Sequence, residues 1–379
     1  MHAASATSEH PLATQALGEC VGALLEHGGT HPDVVWLFTT PPHVGVLEDV
    51  QAALRRLLSP GVLLGAVADT VVGGGREIEG QPAMSLLAVW SESGGPGRAA
   101  PVPLRLRPWR QGPDSADLEQ LRGASGTVCL LVDRPSLAPE LLLDALAEVA
   151  PELKVVGAAL DPPSGRHTNL LVETDAMHGD GAVGVLLPSE KSHRLVLSQG
   201  VRSMGEPVAV TRAERNVVLE LGGRPAGHHL DVALATLAQG DDPAAELLLA
   251  EVLETGAEGD DELLAHRLVG RDPDRGAVAL DAEVDVGTLV VFARRDAASA
   301  DADLNLRLAT AAEGAAGALC VLGTGRGWPL FGTPDHDALA VSELLPGAAL
   351  AGLVAPTPFA TVGARHQIAP RSVAILLTG

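Results

Sequence analysis

The stretch that most constrains this chain is Gly61–Trp90, GVLLGAVADTVVGGGREIEGQPAMSLLAVW. An apolar run, Val62–Val67, stops at a loop built on Gly73, Gly74 and Gly75, and a second apolar run, Met84–Trp90, leads away. Short apolar runs bounded by glycine read as buried strands. The unit is therefore strand, glycine loop, strand, and it returns near Val155–Pro188 and Leu350–Thr378. A strand and an amphipathic helix precede each copy: Val34–Phe38 with Leu47–Leu58, Thr127–Val132 with Pro139–Val149, and Ala315–Val321 with Pro334–Leu345. The order strand, helix, strand, loop, strand thus fills 34–90, 127–187 and 315–377. Its shared kernel is Leu64-Gly65-Ala66, Val156-Gly157-Ala158 and Ala351-Gly352-Leu353.

Between the second and third copies lies a different pattern. His193–Leu197, Val208–Val210, Asn216–Leu221, Leu263–Leu268, Ala277–Leu280 and Gly287–Phe292 read as strands. Helices are expected from Ala226 to Gln239, over Ala244–Thr255 and over Ala300–Gly314, with an acidic turn at Gly256–Asp261. At the N-terminus, residues 1–10 are expected to be disordered or loosely packed, ahead of a helix at Ala13–Glu26. Strands joined by both hairpins and helical crossovers predict an α/β (α+β) protein of mixed sheets flanked by helices, with internal repeats. The expected division is an N-terminal extension and helix over 1–30 and two domains over 31–222 and 223–379.

Composition excludes several functions. Aromatic residues are 2% of the chain, with no Tyr, against 46% hydrophobic residues, so the cores are aliphatic and base- or sugar-stacking platforms are not expected. With 48 acidic and 26 basic residues the net charge is −22, which opposes phosphate-driven nucleic-acid binding and attachment to anionic membranes. Three cysteines, Cys20, Cys129 and Cys320, are far apart and form no CxxC, so neither a disulfide framework nor a structural zinc site is expected. No basic start with an apolar core opens the chain, and no apolar run is long enough to cross a bilayer. The expectation is a soluble, cytoplasmic protein.

Candidate binding residues cluster at the glycine loops. Gly74 and Gly75 either let backbone N–H groups approach a ligand or form a tight hairpin connection with Arg76 and Glu77 as an exposed ion pair. Arg76 offers a two-point clamp for a carboxylate and Glu77 an acceptor for an ammonium. CVLGTGRG, with Cys320, Gly325 and Arg326, follows a strand and precedes a helix, the setting for an anion at a helix N-terminus. It lacks the Lys-Ser/Thr of a P-loop. Asp335, His336 and Asp337 are consecutive, which suits the first turn of a helix better than a metal ion. Ser198 and Arg202, in SQGVR, read equally as a turn towards an inter-domain cleft or as a plain strand-ending turn, and Arg365 takes in the third copy the place of Arg76 in the first. No catalytic, metal or cofactor signature is present, so an enzyme is not favoured.

Ser198–Leu230, SQGVRSMGEPVAVTRAERNVVLELGGRPAGHHL, resembles the segment joining the two halves of FIST (F-box and intracellular signal transduction) proteins. Gly65–Ala88 is similar to the glycine-rich stretch of the N-terminal half, and Cys320–Ala340 to the Cys-and-GRG stretch of the C-terminal half. The resemblance implies a free-standing sensory module that binds a small ligand, an amino acid or other small carboxylate, between the glycine loops of its halves, and that serves a signalling protein partner. Two positions depart from the pattern: Pro356–Ala360 replaces an acidic GEIGP-like turn, with Pro358 where a Glu is expected, and Ala369 stands where the family often has a His. The rival expectations are an enzyme using Cys320 with His336 or His366 as base, and an interaction scaffold with an exposed apolar patch.

Overall fold

The computed structural model describes residues 1–91, 100–187, 193–240, 242, 244–254 and 262–379. It is a mixed α/β protein in two compact units, Met1–Leu197 with Arg307–Gly379, and Ser198–Leu306.

The larger unit holds three six-stranded sheets of one design. At the centre of each, two strands run parallel: Val34–Thr39 with Val62–Val67, Gly126–Asp133 with Leu153–Leu160, and Gly317–Gly323 with Ala349–Ala355. Parallel neighbours need a crossover, which the helices Leu47–Leu58, Pro139–Val149 and His336–Leu344 provide. An antiparallel return strand lies beside the first central strand: Met84–Trp90, Ala182–Leu187 and Val373–Thr378. Outside it run His2–Ser8, Val102–Leu106 and His193–Ser198.

The last two places in each sheet are filled by a hairpin from another sheet's stretch of chain. Thr70–Gly73 and Arg76–Glu79 follow the first sheet's strands but join the third sheet at Ala349–Ala355. Leu171–Val172 and Met177–His178 leave the second for the first, at Val62–Val67. Thr357–Val362 and Arg365–Ile368 leave the third for the second, at Leu153–Leu160. The exchange is cyclic.

The kernel glycines sit where the central strands approach most closely. Gly65, Gly157 and Gly352 stand in register with Leu37, Leu130 and Cys320, and a Cβ on any of them would run into that partner's carbonyl oxygen. The glycine is a steric requirement of the strand pair. The sheets share one aliphatic core that includes Val34, Leu64, Leu131, Val156, Leu319 and Leu353. Leu17, Leu24, Leu54 and Leu58 of helices Ala13–Gly28 and Leu47–Leu58 cover the first sheet's other face, and Leu142 and Leu146 cover the second's.

The smaller unit is an antiparallel ring. Leu289–Arg295 pairs Val208–Glu214, then Val217–Leu221, Ala277–Leu280, Glu262–Asp272 and Glu246–Glu254 follow, and the last closes on Leu289–Arg295. Helix Ala226–Leu237 packs Leu230 and Ala233 against Val210, Leu249, Val278 and Phe292.

Two expectations are corrected and a third, the hairpin turn, is borne out. Residues 1–10 are not loose: His2–Ser8 pairs along the whole of Met84–Trp90, a long-range partner that compensates for small, polar side chains. Ala244–Thr255 is not a helix: Glu246–Glu254 is a strand between two others, whose ladders override the helix preference of Leu, Ala and Glu. The loop at Gly73–Gly75 is a tight turn inside a hairpin, with Gly74 and Gly75 at φ 60° and 72°. The acidic turn expected at Gly256–Asp261 lies outside the described residues.

Candidate ligand-binding site

The second central strands run out through Asp69, Asp161 and Pro356, each the same step beyond its kernel glycine. All three residues line one cavity of about 430 Å³. The hairpin adds Thr70, Glu77 and Glu79, and the loop after Gly317–Gly323 adds Thr324 to Pro329 with Pro334 and Asp335. Crevices at the carboxyl ends of parallel strands are where α/β folds most often bind ligands.

Arg326 and Asp337 anchor the loop. Their side chains are 1% and 0% exposed, with Nε donating to Oδ2 at 2.6 Å and Nη2 to Oδ1 at 2.9 Å. Nη1 donates to the Arg371 carbonyl at 3.4 Å. Burial pushes the Asp337 carboxyl up, but the hydrogen bonds from Arg326 and His336, with the Arg326 charge, outweigh it and hold the group below the usual carboxylate range. Arg326 also lies over the Phe331 ring, 5.4 Å from its centroid, and Phe331 stacks on His336. The arginine is thus committed to its own scaffold.

Glu77 ties the hairpin to this loop. Its N–H donates to Asp335 Oδ1 at 2.7 Å, and its Oε1 accepts from the Ala338 N–H at 3.3 Å. A Cβ on Gly327 would stand 3.1 Å from Oε2, so glycine leaves the carboxylate its room. Burial, then the charges of Asp337 and Asp335, raise the Glu77 carboxyl above its ordinary value. Asp335 therefore does not cap the helix His336–Leu344 through its side chain. It sits at the N-cap with φ 61°, and its carboxylate takes the Glu77 N–H instead. Asp69 accepts from Ser164 N–H and Oγ at 2.8 and 2.9 Å, and Asp161 pairs with Arg134.

Of the residues singled out in the sequence, Glu77, Gly325 and Arg326 come together on the cavity wall. Gly74 and Gly75 form the nearby turn, and Arg76 pairs with Glu9. Arg365 is exposed in a hairpin of the second sheet. Cys320 is buried mid-strand, where desolvation and then Asp337 push its thiol pKa up and keep it neutral. Ser198 and Arg202 belong to the smaller unit. There Ser198 Oγ and Gly200 N–H donate to Asp303 at 2.7 and 2.8 Å, and the Gln199 side chain bridges Leu263 and Ala265 of a neighbouring strand. Sequence reasoning missed Asp69, Asp161 and Trp328. The first two carry a signal, since the same step from each kernel glycine reaches them.

The sequence matches the FIST N domain over residues 33–224 and the FIST C domain over residues 230–356. Both matched segments supply the cavity, Glu77 and Asp161 from the first and Arg326 from the second. An uncharacterized protein of Mycobacterium tuberculosis is 34% identical over 353 residues, covering 90% of this chain and 89% of its own. An uncharacterized protein of Mycobacterium bovis is 32% identical over 373 residues, 94% of each chain. With both domains matched in order and relatives aligned along most of their length, the chain belongs to the FIST family, whose domains are assigned as sensory or signal-transduction modules that bind small ligands.

Proposed function

We propose that the cavity at the strand ends is the ligand site of a small-molecule sensor. One observation carries the reading: three sheets and both family-matched segments converge there, on a wall of loops with a carboxylate, Glu77, held by backbone contacts. The ligand is a small metabolite with a protonated amine, amino acids included. Its ammonium meets Glu77, and Gly325 and the Arg326 backbone border it from the opposite loop. No helix among the described residues is long and apolar enough to cross a membrane, and a cytoplasmic module that passes its ligand state to a signalling partner fits the family.

Calorimetry against a panel of amino acids and simple amines tests the reading. Binding that weakens in Glu77→Gln, with the variant folded, is expected. A folded protein that takes none of the panel at millimolar concentration overturns it.

A further inference from the structure

The charge on the cavity wall is one-sided. Asp69, Glu77 and Glu79 reach it on one stretch of chain and Asp335 from the opposite loop, Asp161 also lines it but is paired with Arg134, and Arg326 is the basic residue lining it among the described residues. Arg326 has no free edge: Nε and Nη2 hold Asp337 and Nη1 reaches the Arg371 carbonyl. An anionic group entering the cavity would meet carboxylates without a guanidinium to receive it. The carboxylates are also dispersed. Among the described residues no three Asp, Glu, His or Cys side chains come close enough to share a metal ion. Dispersed negative charge around about 430 Å³ suits an extended organic cation better than a compact inorganic one.

The aromatic inventory points the same way. Trp328 lies on the wall and is 67% exposed, in a chain with only four Trp and no Tyr. An indole face beside carboxylates is a surface for a protonated amine and its methylene chain. We propose that the cavity takes a small aliphatic amine with two or more protonated nitrogens. One nitrogen sits against Glu77, another towards Glu79 or Asp69, with the carbon chain over Trp328. The proposal rests on the sensor reading and sharpens it by charge.

The test is calorimetry of the full chain with putrescine, spermidine, alanine and succinate, at about 0.15 M salt to screen loose association with a surface of net charge −22. One diamine or polyamine should bind per chain. Glu77→Gln should weaken it about tenfold, the exposed Glu79→Gln and Trp328→Ala several-fold, and succinate should give no heat. Glu79→Gln and Trp328→Ala keep the test valid if Glu77→Gln fails to fold. Heats unchanged in all three variants would mean diffuse surface association and overturn the proposal. Alanine bound in preference, and weakened in Trp328→Ala, would overturn the dication while leaving the sensor reading intact, whereas succinate bound in preference would overturn both. Silence from all four probes would overturn the dication, and the sensor reading would then stand or fall with the wider panel of amino acids and amines.

Discussion

Two hairpins occupy equivalent places, and only one of them reaches the cavity. Thr70–Glu79 extends the third sheet and brings Glu77 and Glu79 to the wall. Thr357–Ile368 extends the second sheet and buries polar groups instead. Gln367 is 3% exposed with neither amide atom hydrogen-bonded, and His366 shares a 2.9 Å contact with Thr361 while burial lowers its pKa and keeps it neutral. One backbone plan therefore serves charge in one place and closure in another. Chemistry enters through the few side chains at a hairpin's second strand, and the plan itself is held by glycine and aliphatic packing.

The largest test of this contrast is Arg326→Leu. Removing one partner of a fully buried pair strands Asp337, and unfolding free energy should fall by about 3–5 kcal/mol, read by thermal or denaturant melts. A near-neutral result would mean that the cavity loop is not anchored as described. Next come Gly65→Ala, Gly157→Ala and Gly352→Ala. Each forces a Cβ onto a carbonyl oxygen and should cost roughly 1–3 kcal/mol or more, similarly in all three sheets. Unequal costs would show that the sheets share an order but not a tolerance.

Gln367→Leu should be neutral or stabilise by about 1 kcal/mol, because it removes two buried groups without partners. A large loss would reveal a role for that amide. The smallest expected effect is the pH response of Glu77. Its carboxyl is raised in the folded state, so the charged form opposes folding. That penalty is complete above the folded pKa and fades as pH falls through it towards the ordinary value. Stability from this group should rise slightly on acidification while affinity for a cation falls, and Glu77→Gln should abolish both trends.

Much of the scaffold was readable in order. The kernel glycines mark the second central strands, and the apolar periodicity of Leu47–Leu58 and Pro139–Val149 marks the crossovers. Glu77 and Arg326 were visible as charges beside glycines, but their roles were not. Whether an arginine faces a ligand or a buried aspartate depends on Asp337, which sequence spacing assigns to a helix turn. The strand Glu246–Glu254 was obscured because its residues favour helices when no neighbour strand is considered. Above all, which sheet a hairpin joins is a non-local choice: Val71 and Val72 pair with Leu353 and Gly352, and nothing near Val71 announces it.

That cyclic exchange bears on how the chain is made. The hairpin at Thr70–Glu79 leaves the ribosome early, yet its partner strand Ala349–Ala355 is among the last to emerge. Until then an apolar strand edge waits without its ladder, while the other two sheets can begin to pair sooner. Closure of so distant a contact is slow and exposes the waiting edge to association with other chains. A chain that stops short of Ala349 would therefore lose more than its last strands: the first stretch of the protein would be left holding a hairpin with no sheet to complete.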